Sequence, residues 1–389
     1  MKYDFDKLIE RRGTACFKWD LLPDDDVLPL WVADMDFATA PAILQALHKR
    51  VDHGVFGYVK VPEEYYRSVI NWYERRHHWT MQRDWMLYTI GVVPALAAIV
   101  KALTQPGDKV AVLTPVYNCF FTCITNNGCQ PVELPLINRQ GYCTIDYDRL
   151  DQALADEKTK VLIFCNPHNP GGRVWTREEL RCVAEICLRH GVKVIDDQIH
   201  CEFVFPGHEF IPMASLSPEI LGNTITCCSP SKAFNTAGLQ MANIVCADAE
   251  TRERIDRAIN VNEVCDVNPF GFLAVMAAYD QSEDWLDQVV EYIYQNWLML
   301  KNFFAENLPQ LTLSPLEGTY LAWVDCRPLG KHSADLSQLL LEQGRVQVSS
   351  GEIYGQIGDG FIRINMACPR SRLEEGLRRI ASVLKPLLK

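Results

Sequence analysis

The sequence predicts an α/β protein: a mostly parallel sheet between helices, with a smaller companion domain. Three observations lead there. Short apolar, β-rich runs alternate with helical patterns between about residues 85 and 250. The chain has 389 residues, more than one hydrophobic core usually organises. A long helical pattern after residue 281 separates the alternating region from the C-terminal stretch.

Strands are expected at 109–113, 161–165, 193–197, 224–229 and 242–247, where Val, Ile, Leu, Thr and Cys dominate. Residues 177–190 typify the intervening helices. Leu180, Val183, Ala184 and Cys187 share one face, and Gly191 stands just past the end, where a left-handed residue stops a helix. Ser282 can cap a further helix opening with Glu283 and Asp284; Leu286, Val289, Val290, Ile293, Trp297, Leu300 and Phe304 follow at helical spacing. Its length, and Pro309 beyond it, make it a bridge into a second domain starting near residue 310. There is no internal repeat, low-complexity tract or flexible linker.

Hydrophobic residues make up 48% of the chain and charged residues 22%, ordinary for a folded globular protein. A net charge of −11 disfavours a nucleic-acid surface, which needs concentrated Lys and Arg to displace counterions. No apolar run reaches membrane-spanning length and residues 1–36 lack a signal-peptide core, so the expected location is the cytoplasm. The 15 cysteines are scattered through strand-like runs and are expected to be reduced core residues. Cys119 and Cys123 lie one helical turn apart and Cys227 and Cys228 are adjacent, but no Cys-x-x-Cys or histidine cluster completes a metal set, so no metal is expected.

Three segments carry chemistry. Asn166-Pro-His-Asn-Pro-Gly-Gly172 follows the strand at 161–165, at the carboxyl edge where open α/β sheets place ligands; alone, it also reads as a turn. Asp197 ends the next strand, and a buried acid needs a partner, which a protonated pyridine nitrogen would supply; alone, it also reads as a helix cap or loop acid. Ser229-Pro-Ser-Lys-Ala-Phe-Asn235 sets Lys232 in a hydroxyl-bearing loop, where its amine can form a Schiff base and Ser229 and Ser231 can donate to a phosphate. Successive segments are one βαβ unit apart, so all three can share one sheet edge.

On these segments the sequence resembles the fold-type I enzymes dependent on pyridoxal 5′-phosphate (PLP), the aspartate aminotransferase superfamily. Within it the chain looks similar to the MalY/PatB group of cystathionine β-lyases, or cysteine-S-conjugate β-lyases. The marks are Ala33-Asp-Met-Asp-Phe-Ala-Thr-Ala-Pro41, Gly54-Val-Phe-Gly-Tyr58, Gly91-Val-Val-Pro94, Thr114-Pro-Val-Tyr117, the segments around Asn166 and Lys232, and Phe361-Ile-Arg-Ile-Asn365 with Cys368-Pro-Arg370. The resemblance implies a large domain with a mostly parallel seven-stranded sheet between helices and a smaller α+β domain. The domains would be an N-terminal segment 1–45 joining the small domain, a large PLP-binding domain 46–280 and a small domain 281–389.

It also implies roles. Lys232 would be the Schiff-base lysine and general base, Asp197 the pyridinium partner, and Tyr117 would stack on the ring. Asn166 would donate to the ring O3′ or the substrate carboxylate, with His200 nearby. The backbone after Gly91, at Val92, Val93 and Pro94 where a helix opens toward Leu103, would hold phosphate through its N–H groups, with hydroxyls from Ser229 and Ser231. Arg363 would clamp the substrate α-carboxylate beside Ala33. The partner would be a second copy in a homodimer, with Tyr58 reaching the neighbouring site, and the substrate a small amino acid. Three positions depart from common patterns: His200 replaces the tyrosine of many aminotransferases, Gln198 an acid usual in the β-lyase group, and Gln240 a phosphate-binding arginine.

The implied reaction is β-elimination, in which cystathionine or another L-cysteine S-conjugate gives a thiol, pyruvate and ammonia. An aminotransferase is the alternative, and sequence separates the two poorly. Aminotransferase-like domains also serve as effector sensors fused to DNA-binding domains, but few residues precede the resemblance here and the charge is acidic, so an enzyme is expected.

Overall fold

The computed structural model describes residues 2–261 and 266–388. Seven strands form one sheet: β1 (Met86–Thr89), β2 (Lys109–Thr114), β3 (Gln130–Pro135), β4 (Thr159–Cys165), β5 (Lys193–Asp197), β6 (Thr224–Cys228) and β7 (Ala242–Cys246). Their order is β1-β7-β6-β5-β4-β2-β3. Strand β7 is antiparallel to both neighbours, and every other pair is parallel. Helices cover both faces of such a sheet, which is why its central strands read as continuous apolar runs.

Five strands lie where the apolar runs predicted, β6 and β7 each ending one residue earlier than expected, at Cys228 and Cys246. The two edge strands escaped the periodicity. β3 carries Pro131 and Pro135, tolerated at an edge because the outer N–H row has no partner, and β1 is four residues long. The helix Arg177–His190 ends at Gly191 with φ 65°, as predicted, and starts with a capping box between Thr176 and Glu179. The helix Glu283–Asn307 is present, but Ser282 does not cap it: its hydroxyl donates back to the Ala277 carbonyl at 2.9 Å.

Beyond that helix a small antiparallel sheet orders Thr312–Leu313, Leu321–Asp325, Phe361–Asn365 and Ser349–Ser350. The N-terminal segment crosses to it: Leu28–Pro29 pairs in parallel with Val346–Gln347, and Phe5 packs edge-on against Trp285 at 5.8 Å. Buried Arg173, after β4, meets buried Glu317 at 2.8 Å and joins the two sheets' loops. Among the described residues, no helix is long and apolar enough to cross a membrane.

Buried Glu202 is a second hub. It accepts from Trp72 Nε1 at 2.6 Å, meets His77 Nε2 at 2.9 Å and pairs with Arg76 at 3.3 Å. The ligand-type atoms of His77, Cys201 and Glu202 lie within 4.8 Å of one another, but the Arg76 guanidinium already compensates the carboxylate and opposes a cation there. Burial alone would raise the Glu202 pKa; His77, Arg76 and Trp72 outweigh it and hold it at about 2. The stabilisation is therefore complete above the ordinary glutamate range and is lost as pH falls from about 4.5 toward 2. Glu202→Gln is expected to cost about 3 kcal/mol at pH 7, as breaking buried ion pairs does. In thermal denaturation the gap to the parent should narrow below pH 4.5, and a gap independent of pH would count against the ion pair.

Candidate active site

Three central strands deliver their chemistry side by side. Cys165 at the end of β4 pairs with Asp197 at the end of β5, and Asp197 pairs with Cys227 of β6. The segments that follow, 166–172 and 229–235, therefore leave the same edge beside the Asp197 carboxylate. A cavity of about 560 Å³ opens there. Its wall includes Lys232, Asp197, Tyr117, His200, Ser231, Ala33, Arg363, Val92, Val93 and Pro94, ten of the thirteen residues expected at the site.

Lys232 is partly buried, and its Nζ donates to the Ala33 carbonyl, which also accepts from Tyr320 Oη at 2.9 Å. Burial lowers its pKa to about 8; Arg363 pushes the same way, and Asp34 and Asp197 partly oppose. The segment carrying Ala33 is held from two sides. Asn235 Nδ2, three residues after Lys232, donates to the Met35 and Phe37 carbonyls at 2.8 and 2.9 Å, while Asn365 Nδ2 donates to the Asp34 carbonyl at 2.7 Å. Buried Lys18 and half-buried Arg11 close on Asp34 and Asp36 beneath it.

Asp197 is pushed up to about 7 by burial, with Asp196 adding to the effect while the Ile199 N–H and Lys232 oppose it. Its Oδ1 accepts from the Ile199 N–H at 3.1 Å, and among the described residues no cation lies within ion-pairing distance. Strand alternation puts Asp196 on the opposite face of β5, where Gln198 Nε2 donates to it at 2.6 Å. This gives Gln198 a role: a second acid at 198 would face the Asp196 carboxylate, whereas the amide binds it.

Arg363 is 4% exposed and has no carboxylate partner among the described residues. Its Nη1 donates to Asn169 Oδ1 at 3.1 Å, its Nη2 to the Trp31 carbonyl at 2.8 Å and Ser349 Oγ at 3.3 Å, and its Nε has no partner. A buried guanidinium is costly without an anion, which makes Arg363 a candidate to bind an external carboxylate. Burial, with Lys232 and Arg363 close by, holds His200 well below the usual histidine range, and its Nδ1 has no partner. Burial also raises the Tyr117 phenol.

Two expectations are corrected. Asn166 does not line the cavity; it is fully buried, with Nδ2 on the Ile211 carbonyl at 3.2 Å. The turn closed by the Gly172 N–H on the His168 carbonyl presents Asn169 instead. Ser229 is likewise turned away: its hydroxyl donates to the Met241 carbonyl at 2.8 Å and accepts the Ser231 N–H, leaving Ser231 as the hydroxyl on the cavity. Pro94 lines the cavity but has no N–H, so the donors at the start of the helix Val92–Leu103 are those of Val92 and Val93. Tyr58 is 97% exposed and lies outside the cavity of its own chain.

Sequence reasoning missed Asn169, Cys119, Phe17, Trp31 and Tyr354 on the wall. Asn169 was visible as the second asparagine of its motif; nothing local marked the others.

The residues present fit PLP: an acid lacking a cation at the sheet edge, a buried lysine, helix N–H groups for phosphate and a guanidinium lacking an anion. The fold and site define a class, and a family model for aminotransferase class I and II matches residues 25–380. The chain belongs to that family, within its MalY/PatB branch. It is 39% identical to cystathionine β-lyase PatB of Bacillus subtilis over 98% of this chain and 100% of that protein, and 32% identical to MalY of Escherichia coli over 98% and 99%. Among solved structures, cystalysin from Treponema denticola, which contains a PLP cofactor, superposes with a TM-score of 0.97 at 37% identity, covering 100% of both chains. The PLP-bound C-S lyase from Staphylococcus hominis gives 0.92 at 33% identity, covering 98% and 99%.

Asn169→Ala is expected to raise KM for an amino-acid substrate about tenfold, the worth of one hydrogen bond to a charged group. Asn166→Ala should lower the melting temperature and leave KM unchanged. Steady-state kinetics and thermal melts on both variants decide, and the opposite pattern would return Asn166 to the site.

Proposed function

We propose that this chain is a PLP-dependent carbon–sulfur β-lyase that converts cystathionine or other L-cysteine S-conjugates to a thiol, pyruvate and ammonia. The observation that carries the reading is the cavity shared by Lys232, Asp197 and an Arg363 with no carboxylate of its own. The β-lyase relatives covering the whole chain support it.

When bound, PLP supplies an electron sink for a carbanion at the substrate α-carbon. Asp197, pushed up to about 7 by burial, would accept the proton of the ring nitrogen. Tyr117 would cover the ring, the Val92 and Val93 N–H groups with Ser231 would hold the phosphate, and Arg363 with Asn169 would fix the α-carboxylate. Lys232 Nζ takes the α-proton, and its pKa near 8 leaves a useful free-base fraction at mildly alkaline pH. Thiols have a pKa near 8.5, so a thiolate leaves without a dedicated acid, which an alkoxide would need. Free thiols among the described cysteines suit the cytoplasm, where we place the enzyme.

The enzyme is a homodimer in this reading, with Tyr58 completing the neighbouring phosphate site. Supporting it are the exposed Val55, Phe56 and Tyr58 in the loop after Gly54.

Lys232→Ala is expected to abolish the borohydride-reducible PLP adduct, read by mass spectrometry; an adduct on another lysine would displace the assignment. Cystathionine should yield thiol, pyruvate and ammonia in equal amounts without added keto acid, with L-serine far poorer. Strict dependence on a keto acid, with no thiol released, would make the chain an aminotransferase. Mixing Tyr58→Phe and Lys232→Ala dimers should restore activity through one unaltered site after subunit exchange, and no restoration would mean that each site is built from one chain.

A further inference from the structure

Asp196 is a buried acid that the chemistry above leaves unused. It is 0% exposed, and β5 sets it between Phe164 of β4 and Thr226 of β6, with its side chain on the face opposite Asp197. Its Oδ2 accepts from Gln198 Nε2 at 2.6 Å and from the Met213 N–H at 3.2 Å, while Oδ1 has no partner. Among the described residues no cation pairs with it, although Arg173, Arg76 and Lys18 each compensate a buried acid elsewhere.

An unpaired buried carboxylate costs stability, so its presence beside a cofactor site calls for a use. Its neighbour in the chain is Asp197, and two like charges inside a sheet act on each other strongly. The other titratable groups around the two acids are Lys232 and Tyr117 on the cavity side and the thiols of Cys123, Cys165, Cys227 and Cys228. Burial raises the phenol and all four thiols and keeps them neutral, so among these groups Lys232 supplies the cation. Burial also raises Asp196, to about 6, against the hydrogen bonds from Gln198, Met213 and Asn166, so it is mostly ionised at neutral pH.

We propose that Asp196 is a positioning residue for the cofactor: its buried charge, kept ionised by the Gln198 amide, acts through Asp197 to strengthen the hold on the proton of the pyridine nitrogen. The inference rests on Asp197 as the pyridinium partner. A negative charge behind Asp197 favours the cationic ring, as an opposite charge nearby favours any ionised group. An amide at 198 suits this task. A basic residue there would cancel the charge, and an apolar one would let the acid take up a proton.

Asp196→Asn keeps an oxygen for both hydrogen bonds and removes the charge. Ionised Asp196 costs stability as pH rises from 3.8 through about 6, so the variant apoprotein should melt higher above that range and lose its advantage below it. Its PLP dissociation constant should nevertheless rise about tenfold, the equivalent of one pH unit of coupling between like charges. With PLP isotope-labelled at the ring nitrogen, NMR of the loaded protein should show the variant's nitrogen leaving its protonated position at a lower pH than the parent's. Gln198→Met should reproduce both cofactor effects, because Asp196 then holds a proton. A lower melting temperature for Asp196→Asn, an unchanged PLP affinity or an unchanged nitrogen signal would each overturn the proposal. Asp197→Asn should displace the nitrogen signal most; an unchanged signal there would overturn the pyridinium partner itself, and the role of Asp196 with it.

Discussion

Parallel pairing of β4, β5 and β6 in one register is the constraint on which the rest depends. Because Cys165, Asp197 and Cys227 lie abreast, the chain leaves β4 and β6 on either side of the Asp197 carboxylate. A slip of one residue in β5 would turn Asp197 to the other face and bring Asp196 or Gln198 to the cavity. Val194 and Ile195 are buried in separate cores on the two faces of the sheet and a slip would repack both, so the same packing that stabilises the sheet aims the acid.

Around that acid the site stores uncompensated charge. Asp197 and Arg363 are buried and Lys232 partly so, and each lacks an opposite charge within ion-pairing distance among the described residues. Elsewhere the same protein pairs its buried ions: Arg173 with Glu317, Arg76 with Glu202, Lys18 with Asp36. The contrast locates function. Unpaired buried charges cost stability, and they persist where a cofactor and substrate complete them.

The N-terminal segment is structural and functional at once. Asn235 and Asn365 grip its backbone from the Lys232 loop and from the small sheet, so Ala33 meets Lys232 while Phe17 and Trp31 reach the mouth. A segment distant in sequence from the strands that carry Asp197 and Lys232 thereby supplies part of the cavity wall.

By itself the sequence determined the α/β class and five of the seven sheet strands, and it singled out a lysine, an acid and an arginine that the structure brings to one cavity. Apolar runs and motif order are local signals, and these features are local. The edge strands β1 and β3 were illegible because prolines and shortness erase periodicity where one side of a strand has no partner. Which asparagine of Asn166 and Asn169 faces the cavity, and which serine of Ser229 and Ser231, depended on how each turn closes onto Ile211 and Met241, residues that sequence spacing cannot place. The tertiary structure alone brought Phe17, Trp31 and Ile353 to one mouth and put the Gln198 amide against Asp196. Those contacts exist because the chain crosses between its two sheets, and a crossing leaves no local pattern in the residues that it joins.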